Sequence, residues 1–211
     1  MTAVEPTEAE TADPRSRTPF RILMVCTGNV CRSPVAEQVL RAWLDELSPD
    51  TFEIRSAGTR ALTGSAMTRL AVRQLAAITE PGTFTARQLT ADLLPAQDLV
   101  LGMTRGHRSE IVQLHPGVLR RTFTLREFGR MVQHLNSTAG CRELFEGETA
   151  TRWRRLVSSA PAVRPETLAD GEQDDDIVDP YHRPADAYAQ MLSEMLPALQ
   201  ALRAFEASFR N

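Results

Sequence analysis

The sequence predicts a doubly wound α/β fold, with parallel strands joined by crossover helices. Residues 20–25 are a short, almost wholly apolar run of the kind found in a strand covered on both faces. Further apolar runs at 52–54, 99–103 and 122–125 alternate with helix-like stretches near 66–77, 86–94, 105–114 and 126–135. Such alternation of strand and helix is what this architecture requires. With 211 residues, 42% of them apolar, the chain can bury one core without a disulfide or metal to hold it together.

Residues 1–18 are rich in Thr, Glu, Ala and Pro and have no apolar period, so a disordered tail is expected there and a single domain over 19–211. The tail carries Glu5, Glu8 and Glu10 and no apolar stretch before Phe20, unlike a secretory signal, and no run anywhere is long enough to span a bilayer. A cytoplasmic protein with no membrane partner is therefore expected. A net charge of −3, without any long run of Lys or Arg, lacks the electrostatic footprint of a nucleic-acid binder. Three cysteines are an odd number and too few for a disulfide framework.

After the first strand, Val35, Ala36, Val39, Leu40, Trp43, Leu44 and Leu47 recur at helical spacing and leave Glu37, Arg41, Asp45 and Glu46 on the opposite side. Between 136 and 176 the pattern weakens, with one amphipathic piece at 153–157 and an acidic end at 174–176, which reads as an insertion ending in a solvated loop. Tyr188, Met191, Leu192, Met195, Leu199, Leu202 and Phe209 then mark a C-terminal helix whose apolar stripe closes the core. Pro197 should bend or restart it, because proline has no N–H to give.

The chemistry concentrates between the first strand and the first helix, in Cys26-Thr27-Gly28-Asn29-Val30-Cys31-Arg32-Ser33-Pro34. Ser33 suits an N-cap and Pro34 a first helical position, so the orphan N–H groups of that helix should face back into the loop. Thr27, Gly28, Asn29, Val30 and Cys31 can curl so that successive backbone N–H groups converge on one spot, Gly28 and Asn29 tolerating left-handed backbone. A phosphate dianion fits such a nest. Arg32 could hold two of its oxygens in a bidentate fork and neutralise charge in the transition state. The same field favours the thiolate of Cys26, the reactive form, which would attack phosphorus and pass through a cysteinyl-phosphate that water hydrolyses. That chemistry calls for no metal and no cofactor. Expelling a poor leaving group calls for a placed acid, and Asp179, stiffened by Pro180, is the candidate.

These residues, with Ser56-Ala57-Gly58-Thr59, Ala86-Arg87-Gln88-Leu89-Thr90, Asp98-Leu99-Val100-Leu101-Gly102-Met103 and Asp179-Pro180-Tyr181, make the chain resemble the low-molecular-weight protein tyrosine phosphatase family. The resemblance covers roughly residues 20–135 and 177–209. It implies a flavodoxin-like three-layer fold with a four-stranded parallel sheet, and a phosphorylated protein as partner, phosphotyrosine being the expected group. It implies Cys26 as nucleophile, Arg32 as clamp and Asp179 as acid then base. It further implies that Asn29 holds the loop with Ser56, that Ser33 stabilises the thiolate, that Tyr181 walls the cleft, and that Cys31 can form a reversible disulfide with Cys26.

The chain also departs from the family pattern. Phe84 stands near where members often carry a His that supports the loop, Arg60-Ala61-Leu62 where they often place a rim aromatic, and His182 where a second aromatic often follows the Asp-Pro-Tyr. His107, His115 and His134 lack ligand-like spacing and read as surface or helix-end residues. Two other readings compete. An arsenate reductase of the same fold needs further thiols near the loop, yet 90–110 contains none and only Cys141 remains. An idle phosphate-binding module with 136–176 as its docking surface sits poorly with an intact Cys26, Arg32 and Asp179; in an active enzyme Trp153, Leu156 and Val157 could still anchor a partner, but simple packing against the domain is the expectation.

Overall fold

Alternate side chains of Phe20–Cys26, the first strand β1, point into two apolar layers. Ile22 and Met24 join the larger cluster and Leu23 and Val25 the smaller, which is why the run has no polar face. The chain is described here from a computed structural model covering residues 18–138, 142–169 and 171–210. On one side of β1 lies β2 (Phe52–Gly58), on the other β3 (Leu99–Gly102), and β4 (Thr122–Thr124) pairs with β3. All the pairings are parallel and the order is β2-β1-β3-β4. The path steps from β1 outward to β2 and then crosses to β3, so the topology switches between β1 and β3. Ligands of open α/β sheets bind in the crevice at the carboxyl ends of strands at such a switch.

Helices α1 (Arg32–Leu47), α2 (Arg69–Leu75), α4 (Leu125–Ser137), α5 (Thr149–Ser159) and α6 (Ala185–Ala207) contribute to the larger cluster, while Ile111 of α3 (Arg105–Leu114) helps cover the other face with Leu94 and Val118. Thr124 and Glu127 form a reciprocal capping box that starts α4 directly from β4. Among the described residues, no helix is long and apolar enough to cross a membrane.

Several expectations need correction. The stretch 66–77 forms a helix only over Arg69–Leu75, capped by Thr68. The stretch 86–94 is not an α-helix: Gln88 bridges Gly58 as extended chain, and only Ala91–Leu93 turn, as a 3-10 segment. Ala86, Leu89 and Leu94 are buried at spacings that imitate a helical stripe, but the backbone runs along the end of β2, with Gly58 N–H donating to Arg87 O and Leu89 N–H to Gly58 O. Helix α6 passes through Pro197 without restarting. It packs there so closely on α4 that a Cβ added to Gly129 would come within 2.5 Å of Ala198 Cβ.

The acidic run is solvated only at Asp174: Asp175 pairs with Arg130, and Asp176 accepts from Arg105 N–H at 2.7 Å and, through its carbonyl, from Arg126 at 3.1 Å. Trp153 is 0% exposed, its ring centroid 5.5 Å from that of Phe20, 5.1 Å from Phe52 and 5.8 Å from Phe205. It is core rather than a docking anchor, and its Nε1–H donates to the buried Glu206 carboxylate at 2.9 Å. Residues 1–17 of the expected tail, and Cys141, lie outside the described residues.

Candidate active site

The loop from β1 to α1 lies at the switch point between β1 and β3, and its shape follows from two neighbours. Asn29 adopts left-handed backbone at φ 54°, which asparagine tolerates better than most side chains. Gly28 does not, so its value lies elsewhere: a Cβ there would stand 3.6 Å from Val30 Cγ2 and 3.9 Å from Leu62 Cγ, in the mouth of the cleft. Gly58 allows the close approach, since a Cβ on it would sit 2.4 Å from Thr27 O. Helix α1 begins at Arg32 with Cys31 as its cap, two residues before the expected start. Ser33 is therefore not the N-cap but an inner residue of the first turn, and its hydroxyl is engaged elsewhere.

That engagement forms part of a network. Ser56 donates to Glu37 Oε2 at 2.6 Å, so Ser56 Oγ can accept from Asn29 Nδ2 at 2.8 Å. Asn29 Nδ2 also donates to Ser33 Oγ at 2.9 Å, and the amide orientation is set by Arg87 N–H donating to Asn29 Oδ1 at 2.8 Å. Ser33 Oγ can then donate to Cys26 Sγ at 3.0 Å or to Ala57 O at 3.5 Å. Asn29 thus donates in two directions, through Ser56 to Glu37 and to Ser33 beside Cys26. Asn29, Ser33 and Ser56 are buried, and their side chains lie beneath the cleft rather than on its wall.

Glu37, expected on the solvent side of α1, is instead only 7% exposed and anchored by Arg41 at 2.7 Å. Phe84 is partly buried against the core and takes no part in this network. The signal available in the sequence is the Ser33–Glu37 spacing, which puts both side chains on one helix face.

Above this network the structure brings Cys26, Thr27, Gly28, Val30, Cys31 and Arg32 around one pocket, and adds Asp179 and Tyr181 from the segment before α6. Arg32 Nη2 meets Asp179 Oδ2 at 2.6 Å and Nη1 donates to Ile177 O at 3.3 Å, while its buried Nε has no hydrogen-bond partner among the described residues. Arg60 and Leu62 complete the rim, and His182, off the pocket wall, stacks on Tyr181 with ring centroids 4.0 Å apart.

Cys26 and Cys31 are both free thiols. Cys31 lies against Thr68 Oγ1 at 3.4 Å and Tyr188 OH at 3.7 Å, and burial, only partly offset by those contacts, pushes its thiol above the ordinary range.

His107 stands at a helix end, in the first turn of α3, but it is not a surface residue: it is 5% exposed, with Nε2 2.9 Å from Thr27 Oγ1. Burial and the guanidinium groups of Arg32 and Arg60 push its pKa down to about 3. Among the described residues, no group of three or more His, Cys, Asp and Glu is arranged to hold a metal ion.

A family model described as low molecular weight phosphotyrosine protein phosphatase matches residues 21–159. The protein-arginine-phosphatase of Geobacillus stearothermophilus is 38% identical over 113 residues, 52% of this chain and 72% of that protein. The probable low molecular weight protein-tyrosine-phosphatase AmsI of Erwinia amylovora is 32% identical over 147 residues, 65% of this chain and 96% of that protein. The solved structure of the YwlE arginine phosphatase from Geobacillus stearothermophilus aligns with a TM-score of 0.61 at 26% identity, covering 92% of this chain and 99% of that one. Asp179 and Tyr181 fall beyond the residues matched by the family model.

Proposed function

The chain belongs to the low molecular weight phosphotyrosine protein phosphatase family, and on that premise we propose that it hydrolyses phosphotyrosine on proteins through Cys26. One observation carries the reading: Cys26 Sγ, 3.0 Å from Ser33 Oγ, shares a pocket with Arg32, whose buried Nε has no partner among the described residues. The phosphoryl group binds over the loop amides and draws the Arg32 guanidinium from Asp179 onto its own oxygens, leaving the Asp179 carboxyl to carry the proton that it gives in the next step. The Cys26 thiolate attacks phosphorus in line as the bond to the phenolic oxygen breaks, and Asp179 delivers a proton to that oxygen. Tyrosine leaves neutral. Asp179, now a carboxylate, takes a proton from water as the water attacks the cysteinyl-phosphate, releasing inorganic phosphate and returning the thiolate to the Ser33 hydroxyl.

The rim supports phosphotyrosine over phosphoarginine, the group named for some relatives. Leu62, Val30 and Tyr181 give apolar walls to a flat ring, and Arg60 places a cation where a second guanidinium would be repelled. Arg60 is also placed to attract acidic residues flanking the phosphotyrosine. The test is kcat/KM on one peptide phosphorylated at Tyr or at Arg. At least about tenfold preference for the tyrosine ester is expected, a margin set by one lost apolar or charge contact; equal or reversed preference overturns the assignment.

A further inference from the structure

The turn after β3 reaches the loop after β1 through one side chain, and the hydrogen-bond arithmetic there is closed. Thr104 caps α3, its Oγ1 accepting from His107 N–H at 3.1 Å. Thr104 Oγ1 also lies 2.8 Å from His107 Nδ1, and on the far edge of the ring Nε2 lies 2.9 Å from Thr27 Oγ1. Thr27 Oγ1 accepts in addition from Arg32 Nη2 at 3.4 Å. Gly102 makes the approach possible, since a Cβ on it would come within 3.2 Å of His107 Cβ and 3.0 Å of Arg108 N. We infer that His107 is a positioning residue which, as the neutral Nε2–H tautomer, donates into Thr27 Oγ1 and so turns the Thr27 hydroxyl proton toward the phosphoryl oxygen held in the loop. This rests on the phosphatase reading above and adds a side-chain donor to it.

The tautomer follows from counting protons. A hydroxyl has one proton to give and two lone pairs to receive. If Thr104 donates to Nδ1, the ring proton is on Nε2 and goes to Thr27, and every donor in the chain finds an acceptor. If the ring proton were on Nδ1, it would point at the Thr104 oxygen. The Thr104 hydroxyl would then have no acceptor among the described residues, an unfavourable state for a partly buried donor.

With Nε2–H and Arg32 Nη2 filling both lone pairs of Thr27 Oγ1, the Thr27 proton must point elsewhere, and Thr27 is on the pocket wall. A cationic ring would face Arg32 and Arg60 and has no carboxylate among its hydrogen-bond partners, so the imidazole stays neutral.

The experiment uses the full chain, with inorganic phosphate as the bound probe. Long-range 15N correlation spectra of His107, with and without phosphate, should show a neutral ring protonated at Nε2 from about pH 5 to pH 8, the range over which an ordinary imidazole changes charge. No imidazolium signal should remain at neutral pH. His107→Ala and Thr27→Val should each weaken competitive inhibition by phosphate and lower kcat/KM for p-nitrophenyl phosphate by about tenfold, the usual weight of one hydrogen bond to a charged group. The two losses should not add, because they remove one linked arrangement. His107→Gln, whose amide can donate at similar reach, should recover most of the loss.

An Nδ1–H ring, an imidazolium at neutral pH, additive losses, or a Thr27→Val protein that binds phosphate like the parent would each overturn the inference. Thr27→Val and the spectra decide it even if His107→Ala fails to fold. An Nε2–H ring in a protein that turns over no phosphate ester would instead overturn the reading on which the inference rests.

Discussion

The loop after β1 and the turn after β3 lie side by side at the carboxyl ends of neighbouring strands, and they serve the pocket in opposite ways. The first contributes mainly backbone, and a curled backbone needs scaffolding: Glu37, Ser56, Asn29 and Ser33 run beneath it as a hydrogen-bonded network that branches from Asn29 and ends beside Cys26. The second contributes one imidazole, and needs only a capped helix start, Thr104 over α3, with Gly102 to let it come close. The difference teaches that an anion cradle made of amides is only as firm as its buried polar support, whereas a single side chain can be delivered by local geometry alone.

The largest effect expected comes from breaking the first loop at its reactive atom. Cys26→Ser should lower kcat for p-nitrophenyl phosphate by at least about a thousandfold while the protein still binds phosphate; steady-state turnover at comparable enzyme purity checks it, and near-parental activity would remove Cys26 from the mechanism.

A smaller effect is expected from removing the support. Glu37→Leu leaves the Ser56 hydroxyl without its acceptor, at a cost on the order of 1–3 kcal/mol, read from the urea midpoint, with turnover falling alongside. Parental stability and turnover in that variant would mean that the cradle holds its shape unaided.

The smallest effect concerns the second loop. His107 sits at about 3 in the folded chain against an ordinary 6.5, so between those values the unfolded chain binds a proton that the folded chain refuses. Folding stability should therefore fall as pH drops below 6.5, by at most roughly 1.4 kcal/mol from this group over the first pH unit, and be unaffected by it above. His107→Gln should flatten that acid limb in urea titrations at several pH values; an unchanged slope would mean that the ring is protonated in the folded state.

How far each region can be read from sequence follows from how local its contacts are. The Cys26 to Pro34 motif is contiguous, and β1 and β3 are almost wholly apolar runs buried on both faces, so these are legible. The stretch 86–94 misleads because Ala86, Leu89 and Leu94 are buried at helix-like intervals on extended chain. Glu37 looks solvent-facing in the sequence because its acceptor role depends on Ser56, on another element and 19 residues away. His107 offers only its spacing from Thr104, since Thr27 lies 80 residues earlier. Asp179 is legible as an Asp-Pro turn, but its 2.6 Å meeting with Arg32 is a product of the fold.

Trp153 has a consequence for anyone who would trim this chain to the length of a shorter relative. Its indole shields Phe20 and Phe52 at the edge of the sheet, while its N–H and the guanidinium of Arg152 together satisfy Glu206 in the interior. Cutting away 142–169 would wet those rings and maroon a carboxylate in hydrocarbon, so the segment behaves as a wall of the building and not as an annexe.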